Sequence, residues 1–233
     1  DGDEITALAY YKDKILQFKK RKVFVVNVSD DQYYLENTFQ DIGVDQQCQV
    51  TTVPFGVVWA NEQGCFIYNG TELENLIDGK IAPTSDATFI PNNYWRIGAS
   101  DVPLIGYIRD KKSLLIINTA DIFTTTAAPE GYQYSFVTKS WTVLQRRTYD
   151  SGSSSANGSK SNMQIDADGN LIWYVKHGTS KNAIVKWDDA PQNNLDTVGN
   201  DTSTIYFRTK DFDFGQPGVR KKIYKIYVTY QCT

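Results

Sequence analysis

The sequence predicts an all-β protein: a β-propeller of about four recognisable blades, complete or incomplete, followed by the start of a second β-domain. Three observations lead to this prediction. Apolar residues alternate with a period near two, the apolar segments are short and bounded by turn residues, and a strand–turn–strand unit returns roughly every fifty residues. A radial β-scaffold such as a propeller presents a surface or encloses a space. This fold class therefore points to functions that depend on surfaces and on assembly.

The repeated unit occurs four times along the chain. In each unit an apolar strand leads into a polar turn and then into a second apolar strand. The predicted strand pairs are residues 5–10 with 15–18, 57–59 with 65–68, 104–107 with 114–117, and 163–165 with 171–174. The first residues after the four turns are Ile15, Cys65, Leu114 and Leu171. Such spacing is typical of propeller blades, because every blade repeats one small antiparallel sheet.

Further strands complete the predicted blades. A basic turn at residues 19–22 follows the second strand of the first unit, and Asn69-Gly70 marks a turn in the second unit. The third unit continues into an outer hairpin, which gives it the four strands of a full blade. The remaining predicted strands are residues 23–28, 132–136, 141–144 and 183–187.

A polar, turn-rich stretch divides the sequence into two predicted parts. Residues 1–204 form a propeller-like domain, which includes a flexible Ser/Gly-rich surface loop at residues 151–159. Residues 205–233 form a long β-hairpin that begins a second β-domain or reaches another subunit. The chain starts at Asp1 and stops just after a strong strand, so we expect it to be a fragment or processed piece of a longer protein.

Charge and cysteine content restrict the classes of partner. The formal net charge is −3, which gives no overall attraction to nucleic acid or to a membrane surface. No apolar run is long enough for a membrane-spanning helix, so we expect no membrane span.

Cys48, Cys65 and Cys232 lack the spacing of a metal site and are predicted to be packed thiols, with a Cys48–Cys65 disulfide as the alternative. Reduced thiols suit a protein assembled in the cytosol.

Three stretches of the sequence resemble virion β-propeller proteins of tailed bacteriophages, of the tail nozzle, tail tube and neck type. The stretches are residues 3–8 with 14–18 and 23–26, residues 57–61 with Gly64 and 67–70, and residues 209–215 with 220–224. Together they cover about half of the chain. Because proteins of the nozzle type are much longer, the resemblance also predicts that further blades and domains lie outside this chain.

The resemblance implies a structural component of the virion, a ring subunit of the tail or neck that is assembled in the host cytoplasm. Its partners would be further copies in a homo-oligomeric ring and other tail or neck proteins. Genomic DNA would make passing contact with the lumen of the ring. The resemblance implies no cofactor, no metal and no catalytic residue, so we expect no enzyme.

Two other classes of function remain open from the sequence. The first is a receptor-binding or carbohydrate-binding propeller module, an adhesin or lectin that holds a host-surface glycan with aromatic-rich loops around Tyr94 and Trp95. The second, less favoured, is a tail-associated glycan-degrading enzyme, which needs two carboxyl groups facing each other in a cleft. The available carboxyl groups are Asp86, Asp101, Asp110 and Asp166. Most of them lie in predicted turns, where Asp is favoured because it bonds to the local backbone.

Three smaller motifs receive structural interpretations. Residues 166–170, Asp-Ala-Asp-Gly-Asn, have the opening of a calcium loop but lack its bidentate Glu, so a hairpin turn is predicted. His177, the only histidine, falls in a predicted turn and is expected to be solvated rather than to belong to a catalytic triad. The basic clusters at 19–22 and 220–222 are predicted to be solvated edges or subunit contacts rather than nucleic-acid contacts.

Overall fold

The computed structural model of this chain is all-β, as the sequence predicts. It describes residues 2–81, 95, 97–98, 102–117, 131–144, 162–177 and 181–187. These ranges contain β-strands, one short 3-10 helix at Gln47–Gln49 and no α-helix. The chain divides into two compact units, Asp1–Thr197 and Val198–Thr233, and every described residue belongs to the first. The predicted hairpin at 205–233 and the loop at 151–159 lie outside the described residues.

The strands form four antiparallel sheets in which neighbouring strands follow one another along the chain. Sheet 1 contains β1 (Ala7–Tyr11), β2 (Lys14–Phe18), β3 (Lys22–Asn27) and β4 (Tyr34–Gln40). Sheet 2 contains β5 (Val50–Val53), β6 (Gly56–Asn61), β7 (Gly64–Tyr68) and β8 (Leu73–Asn75). Sheet 3 contains β9 (Leu104–Ile108), β10 (Ser113–Ile117), β11 (Gly131–Ser135) and β12 (Ser140–Leu144). Sheet 4 contains β13 (Gln164–Ile165), β14 (Leu171–His177) and β15 (Lys181–Lys186).

The four predicted hairpins are present, but they do not hold the same place in every sheet. The repeated hairpin forms the first two strands of sheets 1, 3 and 4, whereas in sheet 2 it forms the second and third strands. The reason is β5, a short strand with the sequence Val-Thr-Thr-Val that precedes the hairpin and pairs with β6. In sheet 2 the repeated hairpin therefore begins one strand later than it does in sheets 1, 3 and 4.

The sheets pack face to face in chain order. Along β6, Val57 and Trp59 face sheet 1, whereas Val58 and Ala60 face sheet 3. In the same way β10 alternates between the core that sheet 3 shares with sheet 2 and the core that it shares with sheet 4. Every residue of β6 except Asn61 is buried, and so are all residues of β7, β9 and β10. Sheets covered on both faces read as continuous apolar runs, which is why these strands are the clearest in the sequence.

The first strands of sheets 1, 2 and 3 lie next to one another. β1 contacts β5 and β5 contacts β9, whereas β9 contacts β14, the second strand of sheet 4. The series is open, because sheets 1 and 4 each keep one face that no other sheet covers within the described residues.

Hydrogen bonds fix the linker between sheets 1 and 2 to both sheets. The bonds are from Trp59 Nε1 to the Ile42 carbonyl (2.7 Å), from Asn61 Nδ2 to the Gly43 carbonyl (2.8 Å), from Val44 N to the Lys19 carbonyl (3.1 Å) and from Thr6 Oγ1 to the Val44 carbonyl (2.6 Å). Because buried carbonyls are costly to leave unpaired, these donors hold the linker in one path. The linker thereby sets how sheet 2 approaches sheet 1.

One ion pair makes the stability of sheet 1 depend on pH. Lys14 on β2 donates to one carboxylate oxygen of Glu36 on β4, and Asn27 Nδ2 donates to the other at 2.8 Å. These bonds, chiefly the one from Lys14, lower the pKa of Glu36 below its ordinary value. A lowered pKa stabilises the fold above the unfolded-state pKa, about 4.3, and that stabilisation is lost as pH falls through the folded-state pKa.

We expect Glu36→Gln to remove this acid dependence and to cost about 0.2–1 kcal/mol at pH 7, the usual range for an accessible pair. The measurement is urea unfolding at pH 7 and at pH 3, compared with wild type. Glu72→Gln, at an exposed position in the turn before β8, is the matched control. Equal pH profiles for Glu36→Gln and wild type would contradict the prediction.

Candidate interaction surface

The uncovered side of sheet 1 is an apolar surface, which we call the open face. Strand register places its side chains in two rows across the four strands. The first row is Leu8, Gln17, Phe24 and Thr38, and the second is Tyr10, Ile15, Val26 and Leu35. None of these eight side chains is charged, but the same register also places Lys22 of β3 and Gln40 of β4 on this side, at the end nearest the basic turn. The opposite side of the same strands packs against sheet 2.

Several large apolar side chains of the open face are exposed. Leu8 is 53% exposed, Tyr10 60% and Leu35 56%, while Ile15 and Phe24 between them are partly buried. Single exposed apolar residues are ordinary on proteins, but a contiguous apolar patch marks a surface that contacts something. The open face is therefore the main candidate for an interaction surface in the described part of the chain.

One side of sheet 4 points away from sheet 3, and we call it the far face. Strand register places Ile172, Tyr174, Ile184 and Lys186 on it, together with the positions of Lys176 and Asn182. Tyr174 has an interaction partner. Ile184 is 74% exposed, whereas Leu171 and Trp173 on the opposite side are buried against sheet 3.

A cavity of about 300 Å³ lies where the first strands of all four sheets meet. Its lining includes Leu8 of β1, Thr52 of β5, Tyr107 of β9 and Gln164 of β13, and no lining residue is charged. At one side the Gln47 side chain accepts a 2.9 Å hydrogen bond from the backbone N–H of Leu8, which covers an otherwise unpaired edge of β1.

Glycine permits the close approach of sheet 4 to the cavity. A Cβ on Gly106 of β9 would lie 2.6 Å from Met163 Sδ and 2.8 Å from Leu171 Cδ1. Gly106 therefore lets two side chains of the last sheet pack directly on the β9 backbone.

Trp95 is a core residue, so its indole is not available to a glycan at the surface. It is 1% exposed and stacks on Tyr132 with ring centroids 4.7 Å apart. Its Nε1 donates to the Asn61 carbonyl at 2.8 Å. The ring and the polar edge of the indole are therefore both engaged inside the protein. Its neighbour Tyr94 lies outside the described residues.

The predicted turn at residues 166–170 is confirmed as the connection between β13 and β14. Asp166 Oδ1 accepts hydrogen bonds from the backbone N–H of Asp168 (3.0 Å) and of Asn170 (2.7 Å). Asn170 Nδ2 contacts both carboxylate oxygens, and this bond is the chief cause of a lowered Asp166 pKa. Gly169 supplies the positive φ of +88° that the turn requires.

Because the Asp166 carboxylate is occupied within the turn, we expect calcium to leave the melting temperature unchanged. Asp166→Ala should loosen the hairpin, seen as faster amide hydrogen exchange at Asp168 and Asn170. Because the pKa of Asp166 is lowered, its carboxylate stays ionised and bonded until pH falls through that pKa. Only then should the hairpin of the wild type loosen as it does in Asp166→Ala. Asp168→Ala, in the same turn, is the control, and a saturable rise in melting temperature with calcium would restore the metal interpretation.

The remaining acidic candidates and the histidine do not form a common site in the described residues. Asp110 lies in the turn between β9 and β10, and Asp86 and Asp101 lie outside the described residues. His177 is the last residue of β14 and pairs with Lys181, so the strand takes in the start of the turn that the sequence predicts there, and residues 178–180 lie outside the described residues. The described part of the chain has no group of three or more His, Cys, Asp or Glu side chains placed to bind a metal.

The basic turn at residues 19–22 is only partly solvated. Lys20 and Arg21 are exposed, but Lys19 is buried, with its Nζ 5.7 Å from the centre of the Phe24 ring. The solvated prediction is therefore wrong for Lys19, because its alkyl chain and ammonium pack along an aromatic side chain. The second cluster, at 220–222, lies outside the described residues.

The cysteine prediction is confirmed for the two described thiols. Cys48 and Cys65 are buried and unbonded to each other, and they belong to different cores. Burial raises the pKa of both thiols, which keeps them protonated and inert. Separately, the described residues contain no helix of the length and hydropathy that a bilayer crossing requires.

Comparisons with known proteins add little to this description. No protein family model matches the sequence, and no curated protein matches it. The chain is similar to the crystal structure of the computationally designed Ika4 protein, with 14% identity and a TM-score of 0.45 over 80% of this chain and 92% of that chain. It is also similar to an extracellular domain assigned to a hybrid two-component system of B. thetaiotaomicron, with 12% identity and a TM-score of 0.44 over 81% of this chain and 23% of that chain. At these values neither similarity carries an argument, so function has to be argued from this chain's own residues.

Proposed function

We propose that this chain is a structural subunit with the radial sheet arrangement of a β-propeller, and that it works by joining neighbouring chains in a larger assembly. The observation that carries the proposal is the open face of sheet 1, a row of exposed apolar side chains that no other described sheet covers. From the sequence resemblance we propose the tail or neck of a phage virion as the setting of this assembly.

The arrangement of first strands supports the propeller. In a propeller the innermost strand of each blade faces a common axis. Here β1, β5 and β9 are the first strands of consecutive sheets, each contacts the next, and all three line one cavity together with β13. A cavity shared by the first strands of four sheets is the geometry that such an axis requires.

The open face supports a role in assembly. Burying apolar surface contributes about 25 cal/mol per Å², so a partner that covers exposed side chains such as Tyr10 and Leu35 lowers the free energy of the assembly.

The test is the state of the full chain and of the particle that contains it. We expect electron micrographs of the purified chain, or of the particle, to contain rings of fixed stoichiometry. We also expect mass spectrometry of purified virions to identify this protein as a stoichiometric component. A chain that stays monomeric at high concentration and is absent from particles would overturn the proposal.

The cavity favours a second candidate function, the binding of a small uncharged ligand such as one residue of a host-surface glycan. Its volume, about 300 Å³, falls at the lower end of ligand sites, and amide and hydroxyl groups line it without charge. A glycan array tests this function, with Gln164→Leu in the exposed part of the lining as the variant. Trp95→Ala cannot serve, because loss of that core residue would also destabilise the fold, so a loss of binding would not report on the cavity.

A further inference from the structure

We propose that a second copy of this chain covers the open face with its own open face, related to the first by a two-fold axis that runs across the strands of sheet 1. The two sheets stack on each other with their strands in opposite directions. This inference rests on the proposed assembly function, and it names the partner, the surface and the relative orientation of the two chains.

Sheet 1 carries charges of opposite sign at its two ends. The turn between β2 and β3, residues 19–22, consists of four consecutive cations, and we call this end of the sheet the basic end. Because the strands alternate in direction, the loop between β3 and β4 lies at the other end, which we call the acidic end. That loop carries Asp30 and Asp31, and the adjacent turn between β1 and β2 carries Asp13 together with Lys12.

The uncharged rows of the open face lie between these two ends. Towards the basic end, register places Lys22 next to the row that contains Phe24, and Lys19 Nζ lies 5.7 Å from the centre of the Phe24 ring. The row that contains Tyr10 and Leu35 is the one nearer the acidic end. Along its strands the open face therefore changes from cationic through apolar to anionic.

A contact between two copies of this face has to match charge as well as apolar surface. In aligned packing, stacked sheets keep their strand directions within about 30° of each other, so a two-fold axis runs either along the strands or across them. An axis along the strands would place the basic end of one copy on the basic end of the other, and opposed like charges are costly. An axis across the strands places each basic end on the acidic end of the partner. Charge therefore selects the second arrangement.

Acidic residues that flank the basic turn do not change this choice. Residues 3–4, both acidic, precede β1, and Asp41 follows β4. An axis along the strands would lay β1 on β4 of the partner, so these acids would also oppose one another. With the axis across the strands, Asp41 approaches the acidic loop of the partner, but the four cations of the adjacent turn outweigh this one carboxylate.

The same distribution of charge disfavours other classes of partner. A nucleic acid or an anionic membrane is attracted by a continuous cationic surface, whereas the acidic end of this face would repel their phosphates. A second copy carries both signs of charge at the matching separation. Such self-complementarity is what a contact between two identical surfaces requires.

The size of the face predicts a weak dimer. Four strands of about five residues span roughly 19 by 17 Å, which is below the roughly 800 Å² per partner of a typical stable pair. We therefore expect the fraction of dimer to rise with protein concentration. An assembly in which every open face is covered in this way contains an even number of copies.

The experiment exchanges the charges of the two ends in the full chain and measures dimerisation by sedimentation over a range of concentrations. The basic-end variant carries Lys20→Glu and Arg21→Glu, and the acidic-end variant carries Asp30→Lys and Asp31→Lys, all at exposed positions. A homodimer of either variant loses the attraction at both ends. We expect self-association of each variant to weaken about tenfold or more, with circular dichroism unchanged.

Mixing the two variants identifies the orientation. The glutamates of the basic-end variant meet the new lysines of its partner, and the two unchanged ends meet each other, so the mixture should form a one-to-one dimer about as readily as wild type. An axis along the strands would instead favour the pairing of the basic-end variant with wild type. A mixture of those two that associates more strongly than wild type alone would overturn the proposed orientation.

Two controls separate the open face from the rest of the surface. Glu62→Lys with Asp110→Lys makes the same change of charge as the acidic-end variant, but in exposed turns of sheets 2 and 3, and should leave dimerisation unchanged. Equal weakening by this pair would show that net charge, and not the two ends, governs association.

Tyr10→Lys tests the apolar rows, because it places an ammonium group in the middle of the contact. We expect it to weaken dimerisation about tenfold or more. Val137→Lys, 71% exposed in the turn between β11 and β12, is its matched control and should associate as wild type does. Wild-type association of Tyr10→Lys would show that the open face is not the contact.

A wild-type chain that stays monomeric would overturn the pairing of open faces. If that chain is nevertheless a stoichiometric component of purified virions, the assembly function stands and its partner is another protein. If the protein is also absent from particles, the assembly function fails as well. The two proposals therefore fail on different measurements.

Discussion

Replacement of Trp59 by alanine should cost more stability than any other single change described for this chain, about 3–5 kcal/mol. Trp59 is fully buried between sheets 1 and 2, where it meets Phe18 edge-on at 5.3 Å and stacks with Phe66 at 5.7 Å. Its removal opens a cavity in the core that joins the two sheets, and it leaves the Ile42 carbonyl without its donor. The measurement is urea unfolding followed by tyrosine and tryptophan fluorescence and by circular dichroism.

A matched pair of substitutions separates the hydrogen bond from the packing. Trp59→Phe keeps an aromatic ring but leaves the Ile42 carbonyl unpaired, whereas Trp173→Phe removes a buried Nε1 that has no partner within the described residues. Both variants lose the same volume, so the difference between them reports the hydrogen bond. We expect Trp59→Phe to cost about 1–3 kcal/mol more than Trp173→Phe. Equal costs would show that the indole N–H of Trp59 does not hold the linker.

Gly43→Ala is the second large effect that we expect, about 3 kcal/mol of destabilisation. A Cβ at Gly43 would collide with the backbone of the preceding turn, above all with the carbonyl oxygen of Lys19, which cannot rotate away as a side chain could. The linker would have to move outward, which strains the bonds of Gly43 to Asn61 and of Val44 to Lys19.

The φ angle of Gly43 is not positive, so the cost arises from contact and not from backbone conformation. Gly2→Ala is the control, because nothing lies within 4 Å of the added methyl group there. Unfolding curves of both variants give the comparison. If Gly43→Ala unfolds at the same urea concentration as Gly2→Ala, the linker is not a fixed element of the fold.

Sequence reasoning located the strands that are buried on both faces and missed those that are not. The hairpins of β6 with β7 and of β9 with β10 consist of continuous apolar residues between turn residues, which is the clearest strand signal. β4 was missed because its sequence, Tyr-Leu-Glu-Asn-Thr-Phe-Gln, is mostly polar at an exposed sheet edge. β5 was missed because its two threonines separate two valines in a very short strand.

The candidate surface could be read from the sequence only in part. Leu8 and Tyr10 alternate with Ala7 and Ala9, so β1 offers apolar residues to both sides, and the pattern alone does not say which side is covered. The larger residues face outward here, because small alanines fit against sheet 2. Conversely, Trp95 is an aromatic residue in a polar stretch, which suggests a binding loop, and only tertiary packing places it in the core.

The arrangement of sheets in chain order has a consequence for synthesis. Each sheet consists of consecutive strands and touches chiefly the sheets that precede and follow it. Contacts between segments close in sequence form quickly, because little loop entropy is lost, and domains fold from the N-terminus as the chain emerges from the ribosome. Sheets 1 and 2, with the Trp59 core between them, are complete at Asn75 and can pack while the strands of sheet 3 are still being synthesised.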